Sequence, residues 1–262
     1  MKAWLCIFAA ATMASGQSAY KAPRTAEGKP SLEGIWFTQA FAAAWDIEEH
    51  PTSPNIVGGP SIIVDPPDKK IPYQSWAYAK RKDLMNHAYE DPQAHCYPSG
   101  IPRVAYAPFG FEIAQSAGLV VMMPENFHMY RMIPTNDNSP RLPPSMKLFN
   151  GESRGHWDGE TLVVDVTNQN GRTWLDMAAN FTTDTLHVVE RYTRIADGTL
   201  HYEATLEDPA LYTRPWTIAF DIRRETKPGY EILEFACWEG ERDLAHYTEE
   251  HGGPQKAGGG KK

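Results

Sequence analysis

The sequence predicts an all-β protein, a single antiparallel up-and-down barrel with one or two peripheral helices. Three observations carry that expectation. From Val104 onward, short alternating runs follow one another with Gly-containing turns between them. Residues 185–206 read TLHVVERYTRIADGTLHYEATL, two extended runs joined by Asp197-Gly198. Only one stretch, Tyr73 to Glu90, carries apolar residues at helical spacing. Sequential strands with so little helix favour a closed or nearly closed barrel over a parallel sheet.

The chain has 262 residues, 42% hydrophobic and 22% charged, which is enough for one sizeable core. Residues 1–16 read as a secretory signal: Lys2, an apolar run from Ala3 to Met13, then Ala14-Ser15-Gly16 at the cleavage positions. That places the protein in the periplasm or outside the cell. Residues 17–31 are polar and read as a flexible leader, 32–245 as the barrel domain, and 246–262 as a disordered tail. The formal charge of −8 becomes −9 once Lys2 is removed. An acidic exported chain is a poor partner for nucleic acid or an anionic membrane, and no mature segment is apolar and long enough for membrane insertion. Cys6 leaves with the signal, so Cys96 and Cys237 remain, and export allows one disulfide between them. Their Cα atoms are then expected roughly 4.4–6.8 Å apart.

The elements follow in order. Ser31 to Thr38 is a first strand, and residues 50–72 hold six prolines around a short Ile62-Ile63-Val64 strand. The Tyr73 to Glu90 helix places Tyr73, Trp76, Ala77, Leu84 and Ala88 on one face, and Asp91-Pro92 ends it. Then come strands at Phe111–Ser116, Leu119–Met123, Phe127–Ile133, Lys147–Phe149 and Thr161–Thr167, the last with Leu162, Val164 and Val166 on one face. After the 185–206 hairpin, Trp216–Arg223 and Tyr230–Trp238 complete about ten strands.

Asp-Gly between alternating runs is the signal of a type I′ turn, with φ > 0 at both central residues. A regular two-residue turn sets Ile195 opposite Leu200, Thr193 opposite Tyr202 and Arg191 opposite Ala204. The buried face then collects His187, Val189, Arg191, Thr193 and Ile195 with Leu200, Tyr202, Ala204 and Leu206. Glu190, Tyr192, Arg194, His201 and Glu203 face solvent. Setting Arg194 against Leu200 instead mixes the two faces of this pattern.

Gly34-Ile35-Trp36 resembles the Gly-x-Trp opening of lipocalins and other calycins, which implies a calycin/lipocalin-like barrel. In those barrels a basic residue near the last strand packs over the tryptophan, a place that Arg242 matches. The runs RGHWDGETLVVDVTN, LHVVERYTR, DPALYTRPWTI and FACWEG are similar to a broad group of mostly uncharacterised exported bacterial proteins, over residues 30–245. That resemblance implies no activity.

The chain has no G-x-S-x-G, P-loop, dinucleotide fingerprint or H-E-x-x-H, and no Ser or Cys nucleophile set against a base. What remains is polar side chains aimed into an apolar barrel. His187 and Arg191 come from the hairpin. His128 and Tyr130 join them if their parity set on Phe127–Ile133 faces inward; Arg131 belongs to the opposite set. Glu239 extends the Leu233, Phe235, Cys237 face to the barrel mouth. His187, His128, Tyr130 and Glu239 are thus the catalytic candidates, with Arg191, Arg131 and Tyr202 for substrate. His exchanges protons near neutral pH and Arg holds an anion, so the set suits a lyase-type step (decarboxylation, elimination or isomerisation) on a small apolar or aromatic substrate with an anionic or carbonyl group. No cofactor is required. A lipocalin-like binder of a small hydrophobic acid is the alternative, and His128, His187 and Glu239 offer a further reading as a two-His, one-carboxylate site for a divalent metal. His156, His201, His246 and His251 read as surface or tail.

Overall fold

The computed structural model describes residues 20–136, 138–235 and 237, and for His128 the backbone alone. The signal segment, the tail, Glu239 and Arg242 lie outside the described residues. Ten strands form one antiparallel sheet: β1 (Gly34–Thr38), β2 (Ile63–Asp65), β3 (Phe111–Ser116), β4 (Leu119–Pro124), β5 (Arg131–Pro134), β6 (Glu152–Asp158), β7 (Thr161–Thr167), β8 (His187–Ala196), β9 (Thr199–Glu207) and β10 (Trp216–Arg224). Their order is β5-β4-β3-β1-β10-β9-β8-β7-β6, with β2 paired to β10 beside this path. That order is an up-and-down meander whose first strand joins its last, so the barrel is open only between β5 and β6. Arg131 bridges this seam by donating from Nε to Ser153 Oγ at 2.9 Å. Gly155 lets the strands touch there, since a Cβ would stand 2.9 Å from Ile133 Cγ2.

The interior is filled by Trp36, Tyr192, Tyr202 and Trp216, all buried, with the apolar faces of β3, β7 and β9. Leu162, Val164 and Val166 share the inner face, as their alternation requires. An enclosed void beside Met122, Met129 and Arg131 holds about 10 Å³, room for one water at most.

The β8–β9 hairpin departs from the expected register. Ala196 pairs with Thr199, but Arg194 pairs with Leu200 and Tyr192 with Tyr202, because Ile195 is left out of the ladder as a bulge. Neither Asp197 nor Gly198 has positive φ, so the type I′ turn is not formed. One extra residue flips every side chain upstream. Val188, Glu190, Tyr192 and Arg194 therefore point inward, and His187, Val189, Arg191 and Thr193 point out. This corrects the inward placement of His187 and Arg191.

Other segments differ too. The helix is α1 (Ser75–Leu84), continued by 3₁₀ turns that kink at His87. It buries Ala77 and Arg81 while Trp76 stays half exposed, its ring tilted 6.3 Å from Phe181. Basic residues in its last turn, Arg81 and Lys82, suit the negative end of the helix dipole. Phe127–Ile133 is not one strand, because Asn126–His128 forms a 3₁₀ turn before β5. Residues 20–31, expected as a loose leader, form a turn with Ala22, Pro30 and Ser31 buried. Lys147–Phe149 contributes one isolated bridge, Leu148 to Gln169, and 230–235 stay outside the sheet. Glu125 pins that last segment, its carboxylate accepting from Gly110 N, Leu233 N and Tyr230 OH at 3.0, 3.0 and 3.2 Å. Cys96 and Cys237 are disulfide-bonded, Cα atoms 5.8 Å apart.

Candidate functional site

The residues singled out by the sequence divide into three groups. His187 and Arg191 lie on the outer face, their side chains 37% and 42% exposed, bonded to Asp165 and Asp158. Tyr130 is 70% exposed at the seam, so it is not the inward catalytic group expected. Of the metal set, His187 faces outward, and the side chains of His128 and Glu239 lie outside the described residues. Arg131 and Tyr202 do meet, inside the barrel, on a residue expected at the surface.

That residue is Glu190, fully buried. Arg131 forms a two-pronged ion pair with its carboxylate, and Tyr192 and Tyr202 each donate a hydroxyl to Oε1 at 2.9 Å. Burial works against a charged Arg131, but the Glu190 carboxylate outweighs it and holds the guanidinium above its ordinary range. Burial, then the Glu190 charge, pushes both tyrosines well up. Every partner is engaged; an enclosed void of about 10 Å³ lies on one side of Arg131, and an open pocket of about 460 Å³ at the seam lies on the other. The cluster ties β5 to β8 and β9 inside the barrel. Arg194, also inward, places its guanidinium 5.9 Å from the Trp36 ring centre and donates from Nη1 to Ser31 O at 3.1 Å. Among the described residues it occupies the place over Trp36 that the sequence offered to Arg242.

A roomy concave site stands outside the barrel. A pocket of about 620 Å³ opens between the Pro-rich loop after Trp45, the end of α1 with its 3₁₀ extension, and the Met177-Ala178 turn. Trp45, Ile56, Met85 and Met177 give it apolar walls, and Asp46 and His50 are its titratable lining. His50 has both ring nitrogens on backbone carbonyls, those of Glu48 and Val57, each at 2.9 Å, and so fastens the loop. Asp46 is the other titratable group of the lining. Arg81 stands behind it, donating to Asp46 Oδ2 at 3.3 Å and to Ala178 O at 3.1 Å.

Asp176 lies behind the same wall, fully buried. Burial, then the Asp46 charge, pushes it up to about 7, and burial raises Asp46 as well. The two carboxyls differ in how fully their oxygens are bonded. Asp176 Oδ1 accepts from Ala178 N and Asn180 N, at 3.0 and 3.3 Å. Its Oδ2 accepts from Ile47 N and Asn180 Nδ2, at 3.0 and 2.6 Å. All four acceptor positions of the carboxylate are filled by N–H donors. Asp46 accepts from Glu48 N at 2.9 Å and from Arg81, and keeps acceptor capacity toward the pocket.

Sequence reading missed this pair. Its residues lie in a Pro-rich loop and an irregular turn, and 129 residues separate Ile47 from Asp176. The one local signal was an acidic residue beside an aromatic, Trp45-Asp46, in a segment with turn chemistry.

No family model, curated protein or solved structure matches the chain.

Proposed function

We propose that this is an exported barrel enzyme that carries out acid–base chemistry of the lyase or isomerase type on a small apolar or aromatic molecule held in the Asp46 pocket. One observation carries the reading: a large apolar pocket converges on Asp46, a half-buried carboxyl that burial raises above its ordinary value and that Arg81 backs at 3.3 Å. Pairs of carboxyls driven apart by environment are how proteins run acid and base steps at one site. The Cys96–Cys237 disulfide supports export, since such bonds persist in oxidising compartments.

The chemistry needs no outside reactant. Ionised Asp46 takes a proton from an activated carbon, and the C–H electron pair moves into the substrate's conjugated system. The carboxyl then returns the proton at a second atom. Arg81, 3.3 Å away, compensates the charge while Asp46 is ionised. A lipocalin-like carrier needs room inside its barrel, and the void there holds about 10 Å³.

Deuterium exchange into phenylacetone, followed by NMR in heavy water, tests the reading. The protein should accelerate exchange at the carbons beside the carbonyl. Asp46→Asn should lose about 10²–10⁴-fold of that acceleration, the usual weight of an oriented proton-transfer group. No acceleration by the folded wild type removes the enzyme reading.

A further inference from the structure

The connection between β5 and β6 is long for a barrel turn and chemically one-sided. Residues 138–151 read NSPRLPPSMKLFNG, with three prolines, two bases and no acid, in a chain of formal charge −8. Loops of this length without a strand or helix of their own are usually functional. This one is pinned from below. Arg154 donates from Nη1 to Ser139 O at 2.9 Å, and Glu152 accepts from Leu142 N at 3.0 Å. Leu148 exchanges backbone bonds with Asn168 and Asn170, each at 2.9 Å. The pinned loop leaves a pocket of about 460 Å³ at the seam, walled by Tyr130 and Met132 on one side and by Leu142, Leu148 and Phe149 on the other. Tyr130, Met132 and Leu148 are exposed there, and such a cluster of exposed apolar side chains marks a binding surface.

Inside this pocket the charges cancel. Arg131 is paired with Glu190 and Arg154 with Glu152. Asp165, beside Arg154 in the β6–β7 ladder, is taken by His187. At the rim they do not cancel. Arg141 stands in the loop between the lining residues Pro140 and Leu142, exposed, and among the described residues no carboxylate pairs with it. Arg172 lies 5.5 Å from the ring centres of both Phe149 and Tyr97, which stack 5.1 Å apart, and it has no carboxylate partner among the described residues either. Lys147 donates to the backbone carbonyl of Asp184 at 2.7 Å, so the Asp184 charge offsets one of these three cations and leaves two. An apolar slot with surplus positive charge at its mouth suits a molecule with an apolar body and a negative head, and it repels an ammonium of the same shape.

We propose that the seam pocket binds a small organic anion, an aryl or alkyl monocarboxylate, with its apolar body against Tyr130, Met132, Leu148 and Phe149 and its carboxylate toward Arg141 and Arg172. This second site is separate from the Asp46 pocket and does not depend on the acid–base reading of it.

Methionine methyls report the two pockets separately, Met132 for the seam and Met85 with Met177 for the Asp46 pocket. The test is an NMR titration of the full chain, labelled at its methionine methyls, with 2-naphthoate, 2-naphthol and 2-naphthylmethylamine. Read at Met132, naphthoate should bind at least about tenfold more tightly than the amine, as two exposed charge contacts change from repulsion to attraction, with naphthol between them. Added salt should narrow that difference. Arg141→Met and Arg172→Met should each weaken naphthoate about two- to fivefold and leave naphthol unchanged. Leu148→Glu, at an exposed position of the wall, should abolish naphthoate binding at Met132. The proposal is overturned by a Met132 methyl that naphthoate does not move, by amine binding as tight as naphthoate, by naphthoate affinity unchanged in both arginine variants, or by binding that survives Leu148→Glu. Movement of Met85 and Met177 alone assigns the anion to the Asp46 pocket and overturns the seam site as well.

Discussion

At the scale of single residues, identical side chains behave differently because their lone pairs are used differently. Asp46 and Asp176 are both aspartates in one low-dielectric neighbourhood. Asp176 accepts four N–H donors inside the protein, whereas Asp46 accepts from Glu48 N and Arg81 at the wall of the pocket. This has a consequence for stability. An unfolded aspartate titrates near 3.8, whereas burial, then the Asp46 charge, pushes folded Asp176 up to about 7. Between those values the folded state holds more protons than the unfolded chain, so stability falls as pH rises through the window. Asp176→Asn removes the titrating group, and its urea midpoint should be flatter than wild type between about pH 4 and 7; equal slopes would show that Asp176 is not the source. The barrel interior holds a second residue-scale case. Glu190→Ala should cost about 3–5 kcal/mol, because it leaves Arg131 as an uncompensated buried charge beside two tyrosine hydroxyls that lose their acceptor. Chemical denaturation measures it, and a loss below about 1 kcal/mol would mean that Arg131 escapes to the seam.

Elements show how one extra residue redirects a strand. Ile195 stands outside the β8–β9 ladder, nearly half exposed, and everything from Arg194 back to Val188 faces the opposite way from a regular hairpin. The regular register put His187 and Arg191 inward, where neither had a partner. The bulged register puts Glu190 and Arg194 inward, where Arg131 meets one and Ser31 and Asp197 carbonyls meet the other. Two arrangements equal in alternation differ in whether their buried charges are satisfied, and the satisfied one forms. The 230–235 segment follows similar logic, since it joins no strand but hangs on one carboxylate. Glu125→Ala should therefore loosen it: hydrogen exchange at Leu233 should rise sharply while β8 and β9 stay protected, for a stability loss of about 1–3 kcal/mol. Unchanged protection at that amide would assign the anchoring to the Phe235 N–H bond on the Glu125 backbone carbonyl and to the ring contacts of Tyr230 and Phe235 with Phe37 and Phe109.

The whole molecule is a barrel with a seam, its end strapped by a disulfide, and its pocket built on the outside. Cys96 and Cys237 are 141 residues apart. Closing so long a loop removes chain entropy from the unfolded state, about 4–5 kcal/mol by the loop-length relation. Cys237→Ser should lower the melting temperature clearly while the far-UV spectrum of the barrel persists, since the strand ladders do not depend on this link. Loss of the β signal at room temperature would show instead that the strap is required for the barrel to close.

Much of the architecture was legible in the residues alone. Alternation in Thr161–Thr167, turn chemistry at Ala117-Gly118 and Asp158-Gly159, and the lone helical spacing before Asp91-Pro92 are local signals, and each maps to an element that formed. The cysteine pair followed from export and from there being no other partner. What the residues could not show is anything that depends on a distant neighbour. The face of β8 hinged on Arg131, 59 positions before Glu190, so the hairpin's own pattern was undecided between two registers. Parity on the segment before β5 failed for the same reason, because the 3₁₀ turn at Asn126–His128 breaks the count. The Asp46 site draws on a loop, a helix and a turn remote from one another in the chain. Periodicity records which residues wish to leave water; it carries no information about which buried charge will find a partner, and that pairing is made only when the chain has closed.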